Sequence, residues 1–247
     1  MNYTWLLDPG HSGILKGKYL TPGKRSPNWE EHGPYYEGEG NRDFVRHIKK
    51  ELDLLGVKSI IPYETELDLG LSLRLKIINT LHSYLGNCIL LSVHSNAHSD
   101  LNTGNGLMAF TSIGKTRSDE ISELYYEEMK RIFPNERYYT DTSDGDQDWE
   151  ADFSMTKLSN CPAVLTENYF MTTKSDYMKL NDEEVRKGLI LGHINMILRY
   201  EGIQTLDKLQ LPYEYSFNRG SITISTLSVN EVKIILAVSC ALPSGLE

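Results

Sequence analysis

In three short motifs, a residue that could bind a metal ion or transfer a proton comes directly after an apolar run. His11 follows the run at residues 3–7 and ends an Asp-Pro-Gly-His motif, whose Pro-Gly pair predicts a turn. His94 follows a second apolar run, at residues 88–93. Because imidazole is the commonest zinc ligand, two histidines at equivalent strand ends indicate a metal site. A solvated turn histidine and a satisfied core histidine are the alternative interpretation.

A carboxylate follows the third apolar run in the same way. Glu167 comes after residues 162–165, where an unpaired carboxylate would be costly and no Arg or Lys partner is evident. The carboxyl ends of parallel strands meet at one edge of a sheet, where ligands bind in α/β proteins. Convergence of Glu167 with His11 and His94 at that edge predicts a metal or acid–base role.

The elements that must position these residues are strands alternating with helices. Apolar runs and segments of helical period alternate over the first 200 residues, which is typical of a sheet covered by helices. The sequence therefore predicts an α/β fold: a single twisted, mostly parallel sheet covered by helices on both faces, with a small C-terminal extension. Strands are expected at residues 3–7, 57–61, 88–93, 107–111 and 163–165, and helices at residues 41–55, 72–85, 118–133 and 181–200.

Local signals set the ends of these helices. Gly56 is expected to end the first helix with a positive φ, and Ser72 to cap the second. Asn181, with Glu184 three residues later, predicts a capping box for the last helix.

Two long segments interrupt the alternation, at residues 16–36 and 137–160, and are expected to be substrate-contacting loops. The aromatic and basic residues of the first loop could bind sugar or peptide, or could simply pack on the domain. They are Lys24, Arg25, Trp29, Tyr35 and Tyr36.

The chain is expected to form one domain over residues 1–202, followed by an extension of unknown role at residues 203–247. The extension contains a strand-like alternation at Ile222 and Ile224, and an apolar segment from Val232 onward.

Composition excludes several classes of partner. The 247 residues carry a formal net charge of -9, which argues against a general binder of nucleic acid or anionic membranes. We find no secretory signal and no apolar run near the ~20 residues that span a bilayer, so we expect a soluble protein made in the cytoplasm. Cys88, Cys161 and Cys240 are interpreted as buried thiols without a role.

In order and context, these motifs resemble those of the zinc N-acetylmuramoyl-L-alanine amidases of bacteria and their phages. The resemblance covers roughly the first 200 residues. It includes the Asp-Pro-Gly-His motif, Glu37 and Asn41, Arg74 and Asn79, Ser-Val-His-Ser-Asn-Ala at residues 92–97, and Pro-Ala-Val-Leu-Thr-Glu-Asn-Tyr-Phe at residues 162–170.

The resemblance implies that His11, Glu37 and His94 bind one zinc ion and that Glu167 is the catalytic glutamate. Glu39 competes with Glu37 for the ligand role. We prefer Glu37 because the family's ligand lies four residues before an Asn at the start of the first helix, and Asn41 meets that spacing.

Four further residues are interpreted as supports that orient a ligand histidine or brace the strand ends. They are Asp8, Arg74, Asn79 and Asn96. Asn168 and Tyr169 depart from the family, which usually has a glycine soon after the glutamate, and this departure could alter the pocket wall.

The implied activity is hydrolysis of the amide bond between N-acetylmuramic acid and L-alanine in peptidoglycan. Zinc with three protein ligands keeps one position open for water and lowers the pKa of that water towards ~7. Glu167 would act as general base and then as general acid.

Two alternatives stay open, a zinc peptidase or amidohydrolase acting on other peptides and a non-catalytic module that binds the cell wall. An amidase without a signal peptide suggests a phage or prophage endolysin, which acts on the wall after release from the cytoplasm. The sequence leaves open the host or phage origin, the preferred peptidoglycan and the oligomeric state.

Overall fold

The computed structural model describes residues 2–212, which form a six-stranded sheet with helices and a small hairpin. The strands are β1 (Thr4–Pro9), β2 (Ile14–Leu15), β3 (Lys18–Tyr19), β4 (Ser59–Ile60), β5 (Cys88–Asn96), β6 (Leu107–Thr111), β7 (Trp149–Glu150) and β8 (Ala163–Phe170). The helices are α1 (Glu37–Leu54), α2 (Leu71–Leu85), α3 (Arg117–Ile132), α4 (Ser154–Lys157), α5 (Lys174–Leu180) and α6 (Glu183–Tyr200).

The sheet has the strand order β4-β1-β5-β8-β6-β7, and β2 pairs with β3 in a separate hairpin. Neighbouring strands are parallel except β6 and β8, which are antiparallel. The predicted α/β class with a mostly parallel sheet is therefore confirmed.

Successive residues of the central strands point to opposite faces of the sheet, and each face is covered by helices. On one face, Trp5 and Leu7 of β1 belong to the larger core with residues of α1, α3 and α6. On the other face, Leu6 packs in a smaller core with residues of α2 and α4. Burial on both faces explains why these strands read as continuous apolar runs.

Strand register brings two of the predicted site residues side by side. His94 on β5 pairs with Glu167 on β8, and Pro9 on β1 pairs with Val93, so that His11 follows β1 at the same edge. Side chains of paired residues project from the same face of a sheet. We infer that the smaller-core face, which holds Leu6 and Leu90, also carries His94 and Glu167.

Element boundaries differ from prediction where the pattern is interrupted by polar residues. Strand β5 continues to Asn96 and β8 to Phe170, so His94 and Glu167 lie inside strands rather than just after them. Helix α1 begins at Glu37 rather than at residue 41, because its first turn contains two glycines that hide the helical period.

Two predicted helix caps are wrong, and one C-terminal signal is right. Gly70 rather than Ser72 is the N-cap of α2, and the side chain of Asp182, not Asn181, accepts the capping hydrogen bond of α6 from Val185. Gly56 has a φ of 70° directly after α1, as predicted.

Residues 203–212, which begin the predicted C-terminal extension of unknown role, pack on the domain. The side chains of Ile203, Leu206 and Leu209 contact the larger core. The strand-like pattern at Ile222 and Ile224 and the apolar segment from Val232 lie outside the described residues. Within residues 2–212, no helix combines the length and apolar character that membrane crossing requires.

Candidate metal centre

The structure brings His11, Glu37 and His94 together at the carboxyl edge of the sheet. Oε1 of Glu37 lies 3.3 Å from Nε2 of His11 and 3.1 Å from Nδ1 of His94. The two imidazole rings are perpendicular, with centroids 5.0 Å apart. One potential ligand atom from each residue lies within 4.8 Å of the others. Two imidazoles and one carboxylate form the ligand set of several catalytic zinc sites, so these three side chains fit a zinc ion.

The electrostatics of the cluster favour the protonation states that a metal requires. Burial raises the pKa of the Glu37 carboxyl, but hydrogen bonds from His11 and His94 outweigh it and hold the pKa well below its usual range. Burial lowers the pKa of His94, against the opposing effect of Glu37. An ionised carboxylate and a neutral imidazole are the forms that bind a cation.

The turn after β1 gives His11 its position. His11 itself has a φ of 64°, in the left-handed region, which turns the chain sharply. At Gly10 a Cβ atom would lie 2.2 Å from Cε1 of His94, so the glycine is required by close approach. The amide of Asn41 in α1 donates to the Gly10 carbonyl at 3.1 Å and ties the turn to the helix that carries Glu37.

Beneath the cluster, Asp8 is held in a buried polar network. Nη2 of Arg74 contacts both Asp8 oxygens, at 2.5 and 2.6 Å, and the hydroxyl of Ser92 donates at 2.6 Å. The hydroxyl of Tyr63 donates to Asp8 as well. Burial raises the pKa of Asp8, yet the Arg74 guanidinium and these hydrogen bonds lower it overall. Asp8 and Arg74 therefore brace β1 against α2, which is the second of the two roles predicted for them.

The other two predicted supports also brace the fold. Asn79 donates to the Leu158 carbonyl at 3.0 Å and accepts from the Asn160 amide at 2.8 Å, so it joins α2 to the segment before β8. Asn96 donates to the sulfur of Met108 at 3.0 Å, across the end of the sheet.

Glu167 lies across from His94 with an unsatisfied carboxylate. Its Oε2 is fully buried and has no hydrogen-bond partner among the described residues. Burial first, and then the negative charge of Glu37, raises the pKa of Glu167 well above its usual range, while Lys24 opposes this. Met108 faces Glu167 from the antiparallel strand β6 and contributes an apolar neighbour. A carboxyl group of raised pKa beside a cluster of potential metal ligands is suited to taking up and releasing a proton.

Glu39, the competing ligand, is engaged elsewhere. Its Oε1 accepts a hydrogen bond from the Ile14 amide at 2.7 Å, and its raised pKa reflects burial and the neighbouring carboxylate of Glu66. Glu39 is therefore outside the cluster, and the structure favours Glu37.

Two further polar residues support the cluster: Ser95, which the sequence did not assign to the site, and Asn168, which it connected only with the pocket wall. The backbone N–H of Ser95 points to Oε1 of Glu37 at 3.4 Å, and its side chain lies 3.2 Å from the hydroxyl of Tyr35. The amide of Asn168 donates to the His94 carbonyl at 3.0 Å. A polar residue next to a predicted strand end is the signal that could have found both.

The departures from the family at Asn168 and Tyr169 lie in the interior, because both side chains are completely buried. The φ of Tyr169 is 64°, where many proteins would use a glycine.

Residues of the 16–36 loop divide into packing and exposed groups. Tyr35 is buried, and Trp29 stacks on Tyr177 with ring centroids 4.6 Å apart. Lys24 and Arg25 are exposed. Burial therefore excludes only Tyr35 from the sugar- or peptide-binding interpretation, since Trp29 and Tyr36 are partly exposed.

A second group of carboxylates, Asp119, Asp146 and Asp148, meets near the start of α3. Asp119 forms the capping box of α3 with Thr116, and Asp148 accepts hydrogen bonds from Thr111 and Ser122. These contacts give two members of the group a structural role.

Comparison with known proteins gives a family and a set of similar folds. Residues 6–199 match the family described as N-acetylmuramoyl-L-alanine amidase. The fold is similar to an N-acetylmuramoyl-L-alanine amidase from Clostridium difficile 630, with 23% identity, a TM-score of 0.65, and coverage of 82% of this chain and 98% of that one.

Two further structures are similar in fold. The catalytic domain of CwlV, an N-acetylmuramoyl-L-alanine amidase from Bacillus (Paenibacillus) polymyxa var. colistinus, is 16% identical with a TM-score of 0.62, covering 83% of this chain and 100% of that one. The catalytic domain of an endolysin targeting Clostridia difficile is 19% identical with a TM-score of 0.52, covering 79% and 98%. No curated protein matches the sequence.

Proposed function

The chain belongs to the N-acetylmuramoyl-L-alanine amidase family, and we propose that it hydrolyses the bond between N-acetylmuramic acid and L-alanine with the help of one zinc ion. The observation that carries the proposal is the cluster of His11, Glu37 and His94, whose ligand atoms lie within 4.8 Å of one another. Glu167, on the adjacent strand, is a partly exposed residue whose buried Oε2 has no hydrogen-bond partner among the described residues.

His11, Glu37 and His94 would hold the zinc ion, in keeping with a family that is typically metal-dependent. When bound by three protein ligands, zinc lowers the pKa of water at its open position towards ~7 and polarises a carbonyl oxygen. The protein's part is to fix the ligands: Asn41 holds the His11 turn, Asn168 holds the His94 carbonyl, and the Ser95 amide lies beside Glu37.

Glu167 would act as the proton carrier of the reaction. Its raised pKa makes its carboxylate a stronger base than an exposed glutamate, so it can accept the proton of the attacking water. The same group, once protonated, can donate to the amine of L-alanine as the amide bond breaks. General acid–base catalysis of this kind typically contributes about 10²- to 10⁴-fold in rate.

Digestion of purified peptidoglycan by wild type and by Glu167→Gln, with zinc measured in both, tests the proposal. We expect one zinc per chain in each protein, new L-alanine amino termini from wild type, and a loss of at least about 100-fold in the variant. Asp53→Asn, an exposed position 16 residues beyond Glu37 and so about 24 Å along α1, is the control and should retain full activity.

The products separate the proposal from its alternatives. Release of reducing sugars, or cleavage within the peptide alone, would exclude the amidase activity and, in the second case, favour a zinc peptidase. Binding to cell walls without any turnover by wild type would favour a non-catalytic module.

We further propose an endolysin role, in which the protein is made in the cytoplasm and acts on the wall once the membrane is breached. Likeness to an endolysin catalytic domain supports this role. Expression in a susceptible bacterium should cause lysis only after a membrane-permeabilising agent is added. Lysis without that agent would contradict the proposal and indicate export.

A further inference from the structure

A segment next to the candidate metal centre concentrates positive charge in an otherwise acidic protein. Residues 16–25, the basic segment, contain four cations, Lys16, Lys18, Lys24 and Arg25, and no acidic residue, while the whole chain has a net charge of -9. All four side chains are exposed, and the ion pairs found among residues 2–212 include none of them. These charges are therefore available to a ligand.

Hydrogen bonds join the basic segment to residues on both sides of the candidate metal centre. The carbonyl of Lys24 accepts from the amide of Glu37 at 3.1 Å, and Arg25 forms an antiparallel bridge with Tyr36. At the other side, the hydroxyl of Thr21 accepts from the amide of Ser12, the residue after His11, at 3.1 Å. The backbone of Lys24 is thus joined directly to a residue of the ligand cluster.

Lys24 is also electrostatically close to the proton carrier. Burial and the charge of Glu37 raise the pKa of Glu167, and the ammonium charge of Lys24 opposes that rise. Since Lys24 is exposed and forms no ion pair with the described residues, it stands at the rim of the site as an uncompensated charge.

We propose that Lys24 is a specificity residue that binds the α-carboxylate of the second stem-peptide residue, D-glutamate, next to the L-alanine whose bond is cut. This inference rests on the proposed amidase function. The glycan of peptidoglycan carries no strong positive or negative charge near the scissile bond, whereas the stem peptide presents carboxylates within a few residues of it. An ammonium–carboxylate pair at the rim selects stems in which this carboxyl group is free over stems in which it is amidated.

The position of Lys24 favours the stem peptide over an anionic wall polymer as its ligand. Its backbone bond to Glu37 keeps it beside the ligand cluster, so substrate groups close to the scissile bond would be its nearest ligands. A long polyanion would also meet the negative charge of the rest of the chain.

The test compares two soluble substrates, N-acetylmuramoyl-L-alanyl-D-glutamate and N-acetylmuramoyl-L-alanyl-D-isoglutamine, which differ only in amidation of the α-carboxyl group. We expect wild type to cleave the free acid with a kcat/KM about tenfold higher, mainly through a lower KM. In Lys24→Met this preference should disappear, in Lys24→Arg it should persist, and in Lys24→Glu it should reverse. The preference of wild type should also weaken with added NaCl, because salt screens an exposed pair.

Lys50→Met is the matched control, since Lys50 is exposed on α1 and lies 13 residues beyond Glu37, about 20 Å along the helix axis. Lys50→Met should prefer the free-acid substrate to the same degree as wild type. Equal loss on both substrates in Lys24→Met, or an unchanged preference, would overturn the inference while leaving the amidase function intact. A defect on whole walls but not on soluble substrates would also overturn it and point to a wall polymer. Failure of wild type to cleave either substrate would overturn the amidase function itself.

Discussion

At Gly10 the candidate site leaves no room for a side chain. The nearest atoms to a Cβ placed there belong to the His94 ring, at 2.2 to 2.5 Å, and real Cβ atoms do not approach other atoms so closely. The ring is held on one side by Glu37 and cannot move away without leaving the ligand cluster. The glycine of the Asp-Pro-Gly-His motif is thus required by the close approach of His94, a candidate ligand on the neighbouring strand β5.

Gly10→Ala should therefore weaken zinc binding by at least about tenfold, because a misplaced supporting contact typically costs 10- to 100-fold in metal affinity. Competition with a chromogenic chelator measures the effect. Gly70→Ala is the control, since Gly70 has an ordinary φ and open space around it. Equal zinc affinity in both variants would mean that the His94 ring does not occupy the position described.

Protonation of Asp146 should make the stability of the folded protein depend on pH. Burial, a hydrogen bond with Asp148 and the charges of neighbouring aspartates raise the pKa of Asp146 from 3.8 to about 7. At pH values between 3.8 and about 7, Asp146 is protonated in the folded protein and ionised in the unfolded chain. The contribution of this group to stability is therefore present at low pH and is lost as the pH rises to about 7.

Asp146→Asn removes this titration. We expect the thermal unfolding midpoint of the variant, relative to wild type, to be higher at pH 8 than at pH 5. Asp100→Asn, at an exposed position outside the acidic group, should show the same difference from wild type at both pH values. A pH-independent difference for Asp146→Asn would contradict a raised pKa.

At the residue scale, the sequence identified His11, His94 and Glu167 because each follows an apolar run, and parallel strands carry their ends to one edge. The choice between Glu37 and Glu39 could not be made from such a pattern. The two glutamates are two residues apart on α1, where they point in different directions, and only the path of the 13–15 segment decides that Glu39 meets the Ile14 amide.

At the scale of elements, the buried pair of Asp8 and Arg74 joins the first strand to the second helix. Asp8 is completely buried and Arg74 is 5% exposed, so removal of the guanidinium leaves an uncompensated charge in the interior. Breaking such a pair from one side typically costs about 3–5 kcal/mol. Stability of the strand that leads to His11 therefore depends on a residue outside the site.

Arg74→Met should lower the free energy of unfolding by about 3–5 kcal/mol, measured by urea denaturation at neutral pH. Lys157→Met removes one partner of the exposed pair with Asp152 and should cost less than about 1 kcal/mol. Comparable losses in the two variants would show that Asp8 is solvated or neutral rather than paired.

Long elements were predictable, and short ones were not. Each of the four long helices shows several apolar residues at helical spacing, and their positions were predicted to within a few residues. Helix α5 has seven residues and α4 has four, too few for a period to emerge, and both fell outside the predicted elements. The capping error at α6 has a similar origin, because the adjacent polar residues Asn181 and Asp182 offer equivalent caps, whereas α2 begins after Gly70 without any side-chain cap.

At the scale of the molecule, the boundary predicted at residue 202 is crossed by specific contacts. Asn195 in α6 exchanges two hydrogen bonds with the backbone of Leu206, at 2.8 and 2.9 Å. Glu51 in α1, which is 2% exposed, accepts from the amides of Gln210 and Leu211 at 3.1 and 2.7 Å. Apolar periodicity ends near Tyr200, so no pattern indicated that polar side chains hold residues 203–212 against two helices.

We therefore predict that residues 203–212 stabilise the domain rather than serve a separate role. Glu51→Ala in the full chain leaves two amide groups without acceptors and should lower the free energy of unfolding by about 1–3 kcal/mol, with faster proteolysis within residues 203–212. Asp53→Ala, an exposed residue on the same helix paired with Lys49, should change both by much less. If Glu51→Ala accelerates proteolysis without loss of stability, the segment is an attachment that the domain does not need.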